Sequence, residues 1–149
     1  MPLSIGDPAP DFTSTDQTGQ PIRLSDYLGK KVVLYFYPKD DTSGCTAQAC
    51  SLRDNYADLR AAGYEVLGVS VDNQTAHQKF ISKYELPFRL VADTDRQVVA
   101  AYDVWQEKSM YGRKYMGTVR TTFLIDENSL ITDIITKVDT KKHAEQILT

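Results

Sequence analysis

Residues 32–45 read VVLYFYPKDDTSGC, and this stretch decides the fold of the chain. Its first six residues are all apolar or aromatic, which is typical of a strand buried on both faces. The apolar residues that follow recur at helical spacing, namely Cys45, Ala49, Leu52, Tyr56 and Leu59. They predict a helix from about residue 44 to residue 62, ended by Gly63. Cys45 therefore lies in the first turn of a helix that begins at the carboxyl end of a central strand.

Cys45 has surroundings that favour the thiolate. Backbone N–H groups in a first helical turn have no partners within the helix and carry partial positive charge, which stabilises a sulfur anion. The second cysteine, Cys50, follows five residues later. On an ideal helix the two Cα atoms are about 8–9 Å apart, whereas a disulfide needs them within about 7 Å. The pair is thus either two unrelated buried thiols or a bond that forms only when this turn unwinds.

The residues around Cys45 resemble a known active-site motif. Pro38, Thr42 and Cys45 match the pattern Pro-x-x-x-Thr-x-x-Cys of the peroxiredoxins, which are thiol peroxidases on a thioredoxin-like fold. The longer run YFYPKDDTSGCTAQAC, residues 35–50, resembles the bacterioferritin-comigratory-protein or peroxiredoxin Q branch. Three further segments resemble that branch: GDPAPDF (6–12), LRDN (52–55) and YMGTVRTTFLID (115–126), which includes Arg120. The resemblance covers essentially the whole chain.

One position departs from the branch, because Ser43 stands where proline is usual. Proline at the first helical position fixes φ at no cost in hydrogen bonds. Serine should therefore leave the loop slightly less preorganised, although serine can also cap a helix. The other motif residues are kept, so we interpret the change as a small adjustment of how preorganised this loop is.

The resemblance implies a role for each motif residue. Cys45 attacks the peroxide as a thiolate, and Arg120 beside it supplies a charge that is never lost. Thr42 offers its hydroxyl to the sulfur or to a peroxide oxygen. Pro38 closes the strand and shields the pocket, and Gly44 lets the backbone approach the substrate. Taken singly, three of these residues have plainer interpretations: a helix cap for Thr42, a strand terminator for Pro38 and a surface position for Arg120.

The resemblance also implies how the cycle is completed. Attack leaves a sulfenic acid on Cys45, which Cys50 condenses into an intramolecular disulfide. Thioredoxin or a similar dithiol reductant then restores both thiols. Because the bond requires unwinding, we expect the start of the helix to be poorly tied to the core and to open at small free-energy cost.

Two other classes of function are weighed against this one. A thioredoxin-like disulfide oxidoreductase acting on protein thiols would use Cys-x-x-Cys, whereas four residues separate Cys45 from Cys50. A binding or holdase domain on the same fold would not need Thr42, Cys45 and Arg120 together.

Composition restricts the partners and the compartment. The chain has 149 residues, a net charge of −3 and 42% hydrophobic residues, which predicts one globular domain over residues 1–149. It lacks the basic stripe of a nucleic-acid-binding protein and the roughly 18 apolar residues that span a membrane. Two cysteines without a signal-peptide pattern predict a reducing compartment, the cytoplasm. No apolar interface is evident, and we expect a monomer.

A metal site or bound cofactor is not expected. His77 and His143 are the two histidines, and neither has ligand spacing to the cysteines. We interpret His77 as a residue on the surface of a helix.

The remaining segments alternate between strands and helices. The patterns predict an N-terminal hairpin (12–24), strands (65–71 and 88–91), helices (73–84 and 95–102), a second hairpin (119–125 with 130–138) and a terminal helix capped by Asp139. This order predicts an α/β fold with a mixed central sheet and helices on both faces, which fits the thioredoxin-like fold that the resemblance implies. Residues 103–118 are the least regular. We predict a loop tucked onto the core there, with a docking patch or a pocket lining as the alternative.

Overall fold

The central sheet has five strands, and the cysteine-bearing helix starts beside its middle strand. The computed structural model describes residues 3–149. In chain order the elements are β1 (Thr13–Thr15), β2 (Pro21–Arg23), a 3-10 turn (Leu24–Tyr27), β3 (Lys31–Phe36), α1 (Ser43–Asp54), α2 (Tyr56–Ala61), β4 (Tyr64–Ser70), α3 (Gln74–Tyr84), β5 (Arg89–Ala92), α4 (Gln97–Ala101), β6 (Trp105–Met110), β7 (Arg113–Thr118), β8 (Thr121–Ile125), β9 (Ile131–Ile135) and α5 (His143–Leu148).

The strand order is β5-β4-β3-β8-β9. β3, β4 and β5 are parallel, whereas β8 is antiparallel to both β3 and β9. The antiparallel pair β1–β2 forms the predicted N-terminal hairpin. The predicted thioredoxin-like α/β fold with a mixed sheet is confirmed.

Both faces of the sheet are covered. Successive residues of a strand point to opposite faces. Val32, Leu34 and Phe36 are therefore buried on one face, with side chains from α4 and the N-terminal hairpin. Val33 and Tyr35 are buried on the other face, with side chains from α1, α2, α3 and α5. The continuous apolar run of β3 is thus that of a strand buried on both sides, as predicted.

The predicted helix over residues 44–62 is two helices. α1 ends at Asp54, and Asn55 has φ −114° and ψ 15° before α2 begins. The Asn55 side-chain amide donates to the Ser51 carbonyl at 2.9 Å, which is the acceptor that the Asn55 N–H would use in a continuous helix. Asparagine commonly interrupts helices by such local competition. The predicted end is confirmed, since Gly63 follows α2 with φ 93°.

Residues 103–118 form a hairpin, so the prediction of a loop on the core is wrong. β6 and β7 pair in antiparallel register from Trp105 opposite Thr118 to Met110 opposite Arg113. Tyr111 and Gly112 both have positive φ, 52° and 78°, as tight hairpin turns require. Tyr111 is 99% exposed, and most of the hairpin is exposed as well. A docking role for this surface stays a prediction.

The C-terminal helix also begins later than predicted. α5 starts at His143 with Lys142 at the capping position, whereas Asp139 accepts a hydrogen bond from the Lys141 N–H at 3.2 Å. Asp139 therefore stabilises a turn ahead of the helix rather than the helix itself. No helix within residues 3–149 has the length and apolarity needed to cross a membrane.

Candidate active site

Cys45 is buried in the first turn of α1. Tyr37 extends the sheet by donating its N–H to the Val69 carbonyl at 3.1 Å, and the chain then leaves the sheet at Pro38. The first N–H to find a partner in α1 is that of Thr46, which donates to the Thr42 carbonyl at 2.8 Å. The three residues before Thr46 are Ser43, Gly44 and Cys45. Their N–H groups have no acceptor within the helix. Cys45 is 1% exposed, so its sulfur lies within the protein beside this partial positive charge.

Arg120 contacts the sulfur from the neighbouring strand segment, just before β8. Its Nη2 donates to Cys45 Sγ at 3.3 Å, and its Nη1 donates to Gln48 Oε1 at 2.6 Å. The topology explains this contact, because Thr121 pairs with Phe36 and Arg120 therefore lies just beyond the carboxyl end of β3. In the described part of the chain, the ion pairs do not include Arg120. Its positive charge is thus directed at the sulfur rather than neutralised by a carboxylate.

Gly44 makes room for this arginine. A Cβ at position 44 would lie 3.2 Å from Arg120 Nη2, which is closer than an ordinary contact. The predicted approach of the substrate to the Gly44 backbone stays a prediction, and the group that lies close to Gly44 in this structure is the Arg120 guanidinium.

Gly44→Ala is expected to slow the reaction of Cys45 with peroxide by about 3- to 10-fold, because the guanidinium must move by a few tenths of an ångström. Thermal stability should stay the same or rise, since alanine favours a helix over glycine by up to about 1 kcal/mol. Stopped-flow rates and thermal melts would measure the two effects. Ser43→Ala is the control, as it changes the same turn without adding an atom beside Arg120. A wild-type rate in Gly44→Ala would contradict the steric argument.

Thr42 and Pro38 frame the same turn. Thr42 is the N-cap residue of α1, in extended conformation with φ −92° and ψ 158°. Its hydroxyl donates to the Lys39 carbonyl at 2.9 Å, so the predicted donation to the sulfur is not made in this structure. The hydroxyl oxygen keeps lone pairs that can accept a hydrogen bond from a ligand. Pro38 is half-buried at the point where the chain leaves the sheet.

Two residues near the sulfur were not predicted from the sequence. Gln48 is fully buried, one helical turn beyond Cys45, and its Oε1 holds Arg120. The i, i+3 spacing from Cys45 was a usable signal for it. Lys108, half-buried on β6, lies near the site as well. Burial and then the charge of Arg120 lower the pKa of Lys108 from its ordinary value, while Cys45 acts in the opposite direction. Its position depends on the hairpin and had no local signal.

Cys50 lies on the same helix and both thiols are free. The prediction that the two cysteines share one continuous helix in the reduced protein is confirmed. The expectation that the helix start is poorly tied to the core is wrong, since Cys45, Gln48 and Ala49 are all buried. Unwinding would have to break both hydrogen bonds that Arg120 donates.

His77 is fully buried, and its assignment to a helix surface is wrong. Phe80 faces the core from α3, and His77 faces the core with it because residues three apart share a helix face. Among residues 3–149, His77, Asp40 and Asp72 place possible ligand atoms within 4.8 Å of one another. The two imidazole nitrogens and both Asp40 carboxylate oxygens already have protein hydrogen-bond partners, so a cation would have to displace them.

Comparison with known proteins identifies the family of this chain. The AhpC/TSA family matches residues 5–134. The chain belongs to the AhpC/TSA family. A relative from Coxiella burnetii, described as a putative peroxiredoxin bcp, is 47% identical over 148 residues, covering 99% of this chain and 98% of the relative. The resemblance to the bacterioferritin-comigratory-protein branch is thereby confirmed, and the chain is a peroxidase of the oxidoreductase class.

Solved structures of peroxiredoxin Q proteins superpose on this peroxiredoxin. A mutant of Xylella fastidiosa PrxQ gives a TM-score of 0.93 at 33% identity, covering 99% of this chain and 94% of that one. The Xanthomonas campestris bacterioferritin comigratory protein, whose structure concerns alkyl peroxide reduction, gives 0.86 at 34% identity and covers 92% and 87%. The fold of this peroxiredoxin is therefore shared along nearly its full length.

Proposed function

We propose that this peroxiredoxin reduces hydrogen peroxide and organic hydroperoxides through Cys45. Cys50 then resolves the oxidised sulfur as an intramolecular disulfide, and thioredoxin or a similar dithiol reductant completes the cycle. The observation that carries the proposal is the position of Cys45 Sγ, in the first turn of α1 and 3.3 Å from Arg120 Nη2.

The first step is nucleophilic attack on the peroxide. The Cys45 thiolate forms a bond to one peroxide oxygen while the O–O bond breaks, which leaves a sulfenic acid on Cys45 and an alkoxide or hydroxide that takes a proton from water. Negative charge develops on the leaving oxygen. The guanidinium of Arg120 and the free N–H groups of the first turn are the donors placed to stabilise it, and fixed donors of this kind are a large term in catalysis. The Thr42 hydroxyl oxygen can accept a hydrogen bond from the peroxide.

Organic hydroperoxides are included for two reasons. The Xanthomonas campestris relative is described with alkyl peroxide reduction activity. The exposed β6–β7 hairpin also places Met110, Tyr115 and Met116 on the surface, and its Lys108 lies near Cys45. An alkyl chain could lie along such a surface once its peroxide group reaches the sulfur.

Resolution requires the first turns of α1 to unwind. The sulfenic acid on Cys45 and the thiol of Cys50 then condense to a disulfide and water. Apart from Gln48, the side chains between residues 43 and 49 are small, so little apolar surface is exposed when they leave the core. The far end of α1 is better held. Leu52 is fully buried, the Ala144 N–H donates to Ser51 Oγ at 3.2 Å, and Arg53 Nη1 donates to the Tyr84 carbonyl at 2.8 Å.

Oxidation tests this proposal. One equivalent of hydrogen peroxide should consume both thiols of the wild type and give a product lighter by two hydrogens, the internal disulfide. Amide hydrogen-exchange protection should fall between residues 43 and 50 and persist in Lys31–Phe36. Thioredoxin with its reductase should return both thiols and restore the protection. Unchanged protection over residues 43–50 in a verified disulfide form would contradict the unwinding step.

A further inference from the structure

His77 is buried with oxygen atoms on both sides of its ring. It is 0% exposed on α3. Its Nε2 lies 2.9 Å from the Val91 carbonyl oxygen, and its Nδ1 lies 2.6 Å from Asp40 Oδ2. A carbonyl oxygen only accepts hydrogen bonds, so Nε2 must carry a proton. Asp40 belongs to the loop between β3 and α1, and this contact therefore joins α3 to the loop that leads to Cys45.

The short contact between His77 and Asp40 holds one more proton. Without it, an imidazole lone pair would face a carboxylate oxygen at 2.6 Å in a buried site, which is strongly unfavourable. With it, the pair is either imidazolium and carboxylate or imidazole and carboxylic acid. Both forms have no net charge, which makes the burial tolerable. The pair is thus a strong hydrogen bond between α3 and the loop.

The remaining polar groups of Asp40 are also engaged. Its Oδ1 accepts a hydrogen bond from the Tyr37 hydroxyl at 2.6 Å, and Tyr37 is itself buried at the end of β3. Its N–H donates to Asp72 Oδ2 at 2.8 Å, an oxygen that also accepts from Ser70 Oγ at 2.7 Å. Asp40 is therefore held by three different parts of the fold, namely the ends of β3 and β4 and the body of α3.

The next residue is held by the same helix. Asp41 has φ 58°, a left-handed conformation that costs a non-glycine residue free energy. Its carboxylate accepts from Lys83 Nζ at 2.9 Å and from the Tyr84 hydroxyl at 2.8 Å, and the Lys83 bond lowers the pKa of Asp41. These contacts are exposed and weak in water. The buried contact at Asp40 is the stronger anchor.

We propose that His77 and Asp40 form a positioning pair that fixes the peroxide-binding turn. The inference rests on the proposed function. His77 does not touch the reacting atoms. It acts through Asp40, whose position sets where Thr42, Gly44 and the Cys45 N–H group lie relative to Arg120. Donors held in place before the reaction are what such a site requires.

Substitutions that break the pair should slow peroxide reduction without unfolding the protein. Asp40→Ala and His77→Leu are expected to lower the second-order rate constant of Cys45 with hydrogen peroxide on the order of 10- to 100-fold, because catalytic geometry is lost. Asp40→Asn should retain most of the rate. Its amide can donate to Nδ1 while Nε2 still donates to Val91, and its carbonyl oxygen can accept from Tyr37. If His77→Leu does not fold, His77→Gln takes its place, since it keeps only one of the two contacts.

Leu59→Ala is the matched control. Leu59 is fully buried in α2 and lies in the same hydrophobic cluster as Phe80 of α3, but it contributes nothing polar to the loop. Leu59→Ala should lower the melting temperature while leaving the rate constant unchanged at temperatures where the protein is folded. Wild-type rates in both Asp40→Ala and His77→Leu would overturn the proposal. So would a loss of rate in Leu59→Ala equal to theirs, since stability alone would then explain it.

Amide exchange separates this proposal from the proposed function. In the reduced protein, Asp40→Ala and His77→Leu should lose protection at the Thr46 N–H, which makes the first bond of α1, whereas Asp40→Asn should keep it. This result does not depend on peroxide chemistry. If protection falls but Cys45→Ser still reduces peroxide, the proposed function fails and the positioning of the turn stands. If protection at Thr46 is unchanged in both Asp40→Ala and His77→Leu, the proposal of a positioning pair is wrong.

Discussion

Cys45→Ser is expected to abolish peroxide reduction, whereas Cys50→Ser should preserve the first reaction with peroxide and lose turnover. A serine hydroxyl at position 45 would remain protonated and nucleophilically weak, even beside Arg120 and the start of α1. Cys50→Ser keeps the attacking sulfur and its surroundings, so sulfenic acid should accumulate on Cys45. Because no second thiol is left in the chain, that species should then over-oxidise or link two molecules.

Peroxide consumption with thioredoxin and its reductase measures turnover, and a sulfenic-acid trapping reagent with mass spectrometry identifies the intermediate. The two variants are controls for each other, since each removes one of the chain's two thiols. Cys50→Ser turning over at the wild-type rate would show that Cys50 is not the resolving thiol. Peroxide reduction by Cys45→Ser would reject Cys45 as the attacking residue.

Arg120→Met should slow the reaction of Cys45 with peroxide by on the order of 10²- to 10³-fold, as loss of one oxyanion donor does in other enzymes. The substitution removes the hydrogen bond to Sγ at 3.3 Å and the bond at 2.6 Å that ties Arg120 to Gln48. It also removes the cation that, in the proposed mechanism, stabilises the attacking sulfur and the leaving oxygen. Stopped-flow measurement of thiol loss would give the rate constant.

Arg120→Lys should fall between the wild type and Arg120→Met. Lysine keeps the positive charge, but it lacks the two-armed guanidinium that contacts Cys45 and Gln48 together. Arg60→Met is the control for loss of an arginine. Arg60 is an exposed residue of α2 whose partners are Tyr56 and Glu65, and the rate should not change. Equal rates for Arg120→Met and the wild type would remove Arg120 from the mechanism.

Features that depend on neighbouring residues were readable in the sequence. The strand β3, the start of α1 at Ser43 and the helix-ending Gly63 all follow from local patterns of apolar residues, glycine and helix-capping residues. The placement of both cysteines on one helix follows from the same periodicity. The interruption at Asn55 also had a local signal, since asparagine side chains compete for backbone hydrogen bonds, but helical spacing alone hid it.

Two features that depend on strand pairing were not readable, namely the β6–β7 hairpin and the contact of Arg120 with Cys45. β6 and β7 contain Gln, Glu, Lys and Gly without a regular apolar alternation, so only their pairing with each other makes them strands. Arg120 is 75 residues from Cys45 along the chain. Without the family resemblance, nothing in its own segment pointed to the sulfur, because the contact arises from the antiparallel pairing of β8 with β3.

The sequence by itself determined the placement of a thiol, a helix terminus and a second thiol five residues away, because all three belong to one short segment. Tertiary structure alone decided what surrounds that segment. His77 shows the difference most clearly. Its spacing to Phe80 was consistent with a buried position, but its partners Asp40 and Val91 lie on other elements. A lone polar residue is buried only where such partners satisfy it, and they meet it only when the chain is folded.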